Sequence, residues 1–153
     1  MTFQKILIPT DFSEFSLAAI APALELAECT GGRLELLFVL EDLPSVPLVT
    51  FEHFGGGSAE RFYEESQVRA DETLQKTLEE KVPSERRGET HLRRGPAAHT
   101  IVETAAELAV DLVVMTTHGR SGLQNALLGS VTERVVRSSP CPVLTIRNRG
   151  GEP

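Results

Sequence analysis

The sequence predicts a single α/β domain built on a doubly wound, five-stranded parallel sheet in the order 3-2-1-4-5, with helices on both faces. Apolar runs rich in β-branched residues alternate with helical stretches along the chain, which is typical of a parallel sheet. The strongest runs are apolar throughout, as in strands covered on both faces. No internal repeat or linker interrupts the 153 residues, and right-handed crossovers leave few possible topologies.

Five segments are predicted to be strands. Residues 5–10 and 111–117 are continuously apolar at their centres and rich in β-branched side chains, as expected of buried parallel strands. Residues 33–42 and 141–147 are two further candidates. Residues 89–95 are polar enough to indicate an edge strand.

Four helical segments connect these strands. The first, residues 13–32, begins with capping residues and ends in two glycines, and Pro22 inside it predicts a kink or break. The second, residues 58–82, is charged and amphipathic and is followed by Pro83. The third covers residues 96–110, and the fourth covers residues 130–139 before Pro140.

The predicted domain covers residues 1–148 and is followed by a polar tail, residues 149–153. One segment, residues 43–58, fits no helix or strand although it is rich in apolar side chains. Loops of this length are usually functional or disordered. This segment could therefore be a lid over a ligand, a surface for an unidentified protein partner, or a loop without a role.

The composition limits the partners. A net charge of -7 disfavours binding to nucleic acid or to an anionic membrane, because both would be repelled. Cys29 and Cys141 match no metal pattern, and two free thiols in a reducing compartment are favoured over one disulfide. The apolar run near the start is too short for a signal peptide. We therefore expect a cytoplasmic protein.

The predicted topology places a ligand crevice between strands 1 and 4. In open α/β sheets, ligands bind beyond the carboxyl ends of the strands where the winding reverses. Those two ends are Pro9, Thr10 and Asp11 on one side and the segment 116–118 on the other. The second of these opens the loop TTHGRSGLQNALLGS, residues 116–130.

This loop has features that suit phosphate. Gly119 and Gly122 would let backbone amides approach a ligand closely, and Arg120 and Ser121 add a cation and a hydroxyl. His118 also lies in the loop, although none of the four histidines has metal-ligand spacing.

The end of the loop predicts a helix start. Ser130, followed three residues later by Glu133, has the spacing of a capping box after Gly129. A helix amino terminus attracts anions. The alternative interpretation is that Ser130 only caps a helix and the glycines only turn the chain. Asp11 has the same alternative, because Asp is common before helices.

The motifs resemble the universal stress protein family, in its nucleotide-binding branch. That branch has Gly, two residues, Gly, nine residues, then Gly followed by Ser or Thr. Here the same spacing joins Thr116, Gly119 and the pair Gly129–Ser130. The opening ILIPTDFSE, the strand DLVVM, the segment GSVTERVV and the motif CPVL also agree in order, so the resemblance covers roughly residues 5–147.

The resemblance implies ATP bound without a P-loop lysine, together with Mg²⁺ or Mn²⁺ held through the nucleotide rather than by a dedicated protein site. Asp11 and the backbone around Pro9 and Val39 would contact adenine and ribose. The phosphates would be contacted by Gly119, Arg120 and Gly122 and by the helix start, Gly129, Ser130, Val131 and Thr132.

The departure from the pattern is Thr116, which stands where the branch has its first glycine and takes space beside the expected ribose. We expect binding to survive, with weaker affinity or an altered sugar contact. Two alternatives remain: a slow ATPase or phosphoryl-transfer enzyme, for which the sequence shows no convincing base, and a dimeric member without nucleotide. No catalytic residue is assigned.

The last strand is predicted to lie at a sheet edge. An exposed apolar edge invites pairing with another chain. Similar family members dimerise through this strand, so the resemblance implies a two-fold homodimer through Val143, Leu144, Thr145 and Ile146.

Overall fold

The computed structural model describes residues 2–41, 59–117 and 128–147 of the chain. Within them lies one parallel sheet in the order β3-β2-β1-β4-β5, as predicted. Its strands are β1 (Lys5–Thr10), β2 (Arg33–Leu40), β3 (Arg87–Arg94), β4 (Leu112–Thr116) and β5 (Val143–Ile146). The helices are α1 (Glu14–Leu17), α2 (Ile20–Thr30), α3 (Ala59–Lys81), α4 (Ala97–Glu107) and α5 (Ser130–Ser138). The predicted loop 43–58 and tail 149–153 lie outside the described residues.

Helices cover both faces of the sheet. Side chains alternate across a strand, so Ile6 and Ile8 of β1 pack with α2 and α3, whereas Leu7 packs with α4 and α5. All three side chains are completely buried. The sheet is therefore the central layer of three, which explains why β1 and β4 are apolar at their centres on both faces.

The predicted break in the first helix is confirmed, and it lies before the proline. α1 ends at Leu17 and α2 begins at Ile20, which puts Pro22 in the first turn of α2. A missing N–H costs little there, because first-turn amides have no intrahelical acceptor. α2 ends at Gly31, whose φ of 76° is the left-handed conformation that glycine adopts readily.

The edge strand β3 begins two residues earlier than predicted and contains an irregularity. Leu34 pairs with Arg87 and Leu36 with Thr90, so two residues of β3 face one residue of β2. A Cβ on Gly88 would lie 2.8 Å from Cγ of Glu35. Glycine at this position therefore leaves room for the Glu35 side chain inside the sheet.

Two predicted properties of the chain can be compared with the described part. Cys29 is exposed and Cys141 half-buried, and both are free thiols, as expected. Across residues 2–41, 59–117 and 128–147, no helix is long and apolar enough to cross a membrane.

Candidate functional site

The turn after β1 is held by hydrogen bonds among its own side chains. Oδ1 of Asp11 accepts hydrogen bonds from the backbone N–H and the hydroxyl of Ser13, at 3.0 and 2.5 Å. Ser13 is the N-cap of α1, where its hydroxyl accepts from the amide of Ser16 at 3.2 Å. Asp11 thus lies two residues before the N-cap, and its carboxylate orients the capping residue.

Ser16 connects this turn to the end of β1. Its Oγ lies 2.9 Å from Oγ1 of Thr10 and accepts from the amide of Asp11 at 3.3 Å. Thr10 and Ser16 are both buried. Because buried polar groups are costly unless paired, this network favours one conformation of the Asp11 turn.

Phe12 completes the turn in an unusual backbone conformation. Its φ of 63° lies in the left-handed region, which costs a non-glycine residue about 1–2 kcal/mol. Its ring stacks on Phe38 of β2, with centroids 4.6 Å apart and planes 18° apart. Such a stack contributes about 0.5–1.5 kcal/mol beyond the area it buries, which offsets much of the strain.

The end of β4 is joined to α5 by backbone contacts. The carbonyl of Thr116 accepts from the hydroxyl of Thr132 at 3.0 Å, and the carbonyl of Thr117 accepts from the amide of Gly129 at 2.7 Å. Thr116 and Thr132 are both buried. These contacts hold the first turn of α5 beside the carboxyl end of β4.

The helix start at Ser130 is confirmed, but the predicted capping box is wrong. Gly129 is the N-cap: its backbone is extended, with φ -70° and ψ 155°, and its carbonyl accepts from Glu133 at 2.9 Å. Ser130 is the first residue inside the helix, and within the part of the chain that the structure describes no side chain caps α5. A capping box needs Ser at the N-cap position, but Ser130 lies one residue inside the helix and Gly129 occupies that position.

A crevice of about 520 Å³ opens between these two strand ends. Every predicted site residue within the described ranges lines it, namely Pro9, Thr10, Asp11, Val39, Thr116, Gly129, Ser130, Val131 and Thr132. The remaining predicted residues, His118, Gly119, Arg120, Ser121 and Gly122, lie outside the described residues. The fold therefore brings together residues that are more than 100 positions apart in the sequence.

Several lining residues were missed from the sequence. The additional side chains are Ser16, Leu37, Phe38, Leu40, Glu41, Ala97, Ile101 and Met115. Oε1 of Glu41, just after β2, accepts a hydrogen bond from the amide of Ala97 at 3.1 Å. The sequence contained one indication of this contact. The N-cap of α4 is Pro96, which has no side chain able to cap the helix, so the first amides of α4 need an acceptor from elsewhere in the chain.

The crevice suits a ligand with both hydroxyls and an anionic group. Its charged side chains among the described residues are Asp11 and Glu41, which are hydrogen-bond acceptors for hydroxyl groups. The first amides of α5 have no intrahelical acceptor, and the helix dipole makes that end positive. Aliphatic side chains such as Val39, Ile101 and Met115 supply an apolar wall.

The chain matches a protein-family model described as "Universal stress protein family" over residues 2–147. It is 36% identical over 148 residues to universal stress protein MJ0531 of Methanocaldococcus jannaschii, covering 95% of this chain and 82% of that protein. The solved universal stress protein UspA from Lactobacillus plantarum has the same fold, with TM-score 0.79, 23% identity and coverage of 96% and 99%.

A universal stress protein solved in complex with cAMP also shares the fold, with TM-score 0.63, 21% identity, and coverage of 96% of this chain and 98% of that one. The family match covers all five strands of the sheet and both strand ends that border the crevice. The chain belongs to the universal stress protein family.

Proposed function

We propose that this protein binds ATP in the crevice between β1 and β4 and uses the bound nucleotide as a regulatory or structural switch in a stress response. The observation that carries the proposal is that one cavity is lined by both the Asp11 turn and the first turn of α5. Its volume of about 520 Å³ falls within the range of small-molecule sites, about 300–1,000 Å³.

The two ends of the crevice suggest how a nucleotide would lie. The positive end of α5 suits the phosphates, with the amides and hydroxyls of Ser130 and Thr132 close by. The Asp11 carboxylate suits ribose hydroxyls, and the aliphatic wall at Val39 suits the base. The cAMP complex of a protein with this fold supports an adenine nucleotide as the ligand class.

Magnesium or manganese would enter with the phosphates. Among the described residues, no three His, Cys, Asp or Glu side chains are grouped so that they could hold a metal. The Asp11 and Glu41 carboxylates each accept a hydrogen bond already, from Ser13 and Ala97. The nucleotide's own oxygens therefore supply the ligands in this proposal.

The homodimer through β5 is part of the proposal. β5 is the last strand in the sheet order, and Val143, Leu144, Thr145 and Ile146 are all half-buried. An apolar strand with one open edge can pair with its copy about a two-fold axis. Val136, on the neighbouring helix, adds an exposed apolar side chain.

We also propose a cytoplasmic location, without nucleic acid or membrane among the partners. Two free thiols are in keeping with a reducing compartment, and the net charge of -7 opposes polyanions. An unidentified protein partner would have to recognise the switched state.

Calorimetric titration of the purified protein with ATP, ADP and AMP, each with Mg²⁺, tests the proposal. Ser130→Ala is the variant, because Ser130 lies inside the helix and its hydroxyl does not cap it. Losing one hydrogen bond to a charged phosphate should weaken ATP binding about tenfold. Ser84→Ala is the matched control and should leave affinity unchanged, because Ser84 lies in the 3-10 turn (Ser84–Arg86) just before β3, at the amino ends of the strands and so opposite the crevice.

Phosphate release measured on the same samples separates the switch from an enzyme. ATP that is bound and not turned over supports the switch. Many turnovers that Ser130→Ala abolishes would replace it with a slow ATPase. An absence of binding heat with all three nucleotides, together with no nucleotide released on denaturation, would overturn the proposal.

A further inference from the structure

A second cavity adjoins the crevice. It has a volume of about 450 Å³ and lies between α4 and α5; we call it the α4–α5 groove. It shares Glu41, Ala97, Ser130 and Val131 with the crevice, so the two cavities meet at the amino ends of both helices. A ligand bound in the crevice could therefore continue into the groove past Ser130.

The groove runs along one face of α5. Ser130, Arg134 and Ser138 all line it, and their spacing of four residues places them one above another. Eight residues of helix span about 12 Å at 1.5 Å per residue. The groove thus extends well beyond the point where phosphates would meet the first turn of α5.

Arg134 gives the groove a positive charge, and Glu41 lines the same groove as its acidic group. Arg137, one turn further along α5, forms an ion pair with Glu133 at 2.9 Å. Arg134 forms no ion pair with any side chain in residues 2–41, 59–117 or 128–147. A guanidinium group binds phosphate through several parallel hydrogen bonds, and Arg134 is placed to do so.

The rest of the groove is mostly apolar. Pro96, Ala98, Val102 and Val131 line it. His99 is exposed, and its Nε2 lies 3.1 Å from Oε1 of Glu103. Glu41 is the acidic group at the boundary, and it accepts from the amide at the start of α4, where a negative charge is favoured. An apolar wall beside one cation fits a planar base that follows a phosphate chain.

We propose that the α4–α5 groove receives the distal nucleoside of a dinucleoside polyphosphate, with Arg134 on its phosphate chain. This inference rests on the proposed function, because the first nucleoside would occupy the crevice. The combined length of crevice and groove then explains why a cavity continues beyond the site for a mononucleotide.

The test is titration calorimetry of the full chain with three Mg²⁺-loaded ligands: ATP, adenosine 5′-tetraphosphate and diadenosine tetraphosphate. We expect diadenosine tetraphosphate to bind at least tenfold more tightly than ATP. Adenosine tetraphosphate, which can gain the Arg134 contact but has no second nucleoside, should bind with an affinity between the two. Arg134→Gln should reduce the affinity ratio of diadenosine tetraphosphate to ATP at least fivefold. Ala98→Leu, which fills the groove from α4, should reduce the same ratio.

Arg137→Gln is the matched control, since it removes a charge from the same helix outside the groove, and it should leave the ratio unchanged. Equal affinity for all three ligands would overturn the inference. It would also be overturned if adenosine tetraphosphate bound as tightly as diadenosine tetraphosphate, because the second nucleoside would then contribute nothing. A ratio unaffected by both groove variants would also overturn it. These outcomes differ from failure of the proposed function, in which ATP itself does not bind.

Discussion

The carboxylate of Glu35 on β2 lies 2.6 Å from Nε2 of His91 on β3, and both side chains are buried. Nζ of Lys5 on β1 lies 3.9 Å from the other Glu35 oxygen. The three side chains cross three neighbouring strands on the face that α4 and α5 cover. Gly88 leaves the space that the Glu35 side chain occupies. This polar contact therefore joins the edge strand β3 to the centre of the sheet.

His91→Ala should destabilise the protein strongly. The substitution removes the hydrogen-bond partner that lies 2.6 Å from the buried Glu35 carboxylate and leaves Lys5, whose Nζ is 3.9 Å away. Leaving a buried acceptor without its partner costs about 1–3 kcal/mol, and more when the acceptor is charged. Because Lys5 compensates in part, we expect about 3 kcal/mol in the free energy of unfolding, measured by urea denaturation.

His99→Ala provides the control for that experiment. Nε2 of His99 lies 3.1 Å from Oε1 of Glu103, but both side chains are more than 60% exposed. An exposed pair contributes about 0.3–0.5 kcal/mol on a helix. If His91→Ala and His99→Ala lowered the free energy of unfolding by similar amounts, the buried contact would contribute no more to stability than the exposed one.

Phe12→Gly should be more stable than Phe12→Ala. Both substitutions remove the ring that stacks on Phe38, but only glycine adopts a φ of 63° without strain. We expect a difference of about 1 kcal/mol in urea denaturation. Ala106→Gly, at an exposed position in the last turn of α4, should have the opposite sign, because glycine is a poorer helix residue than alanine. A less stable glycine variant at position 12 would contradict the argument.

Thr116→Gly should tighten ATP binding and weaken the fold. Thr116 is a buried strand residue that lines the crevice, so removing its side chain opens space beside the proposed ribose position. Glycine loses more backbone freedom on folding than other residues, so at the last position of β4 it should cost up to about 1 kcal/mol in unfolding free energy. Calorimetric titration and urea denaturation measure the two effects separately. Thr116→Ser, which keeps a hydroxyl at the same position, is the comparison variant, and unchanged ATP affinity in Thr116→Gly would contradict the steric role.

Thr145→Pro should convert the proposed dimer to a monomer. The carbonyls of Pro142 and Ile146 accept from β4, so by strand alternation the amides of Val143 and Thr145 point to the open edge. Proline removes one outward N–H without touching the β4 side, and edge positions tolerate it. Thr145→Val keeps that N–H and should remain dimeric. Analytical ultracentrifugation distinguishes the two, and a dimeric Thr145→Pro would exclude pairing through β5.

Much of the architecture could be predicted because its signals are local. Apolar runs, capping residues and the glycines after α2 mark each element, and crossover handedness then limits the strand order. The predicted and observed ends of β2 and β3 differ, because a strand ends where its pairing with a neighbouring strand ends. β2 ends at Leu40 rather than Asp42, and β3 starts at Arg87, because pairing with the neighbouring strand sets those limits.

The candidate site was predictable only where a motif or a strand end marked it. Asp11 and the start of α5 follow directly from the topology, whereas Glu41 and Ala97 meet across 56 residues through a backbone hydrogen bond. The position of Ser130 was misjudged because capping depends on one backbone conformation, that of Gly129. The residue with non-helical φ and ψ is the N-cap, so shifting the helix start by one residue changes which side chain can cap the helix.

The sequence by itself determined the class of fold, the order of the strands and the strand ends that border the crevice, because hydrophobic periodicity and chain connectivity carry that information. Only the tertiary structure decided that Glu35 meets His91, that Phe12 stacks on Phe38, and that the crevice continues between α4 and α5. Those contacts depend on strand register and helix packing, which join residues far apart in the chain.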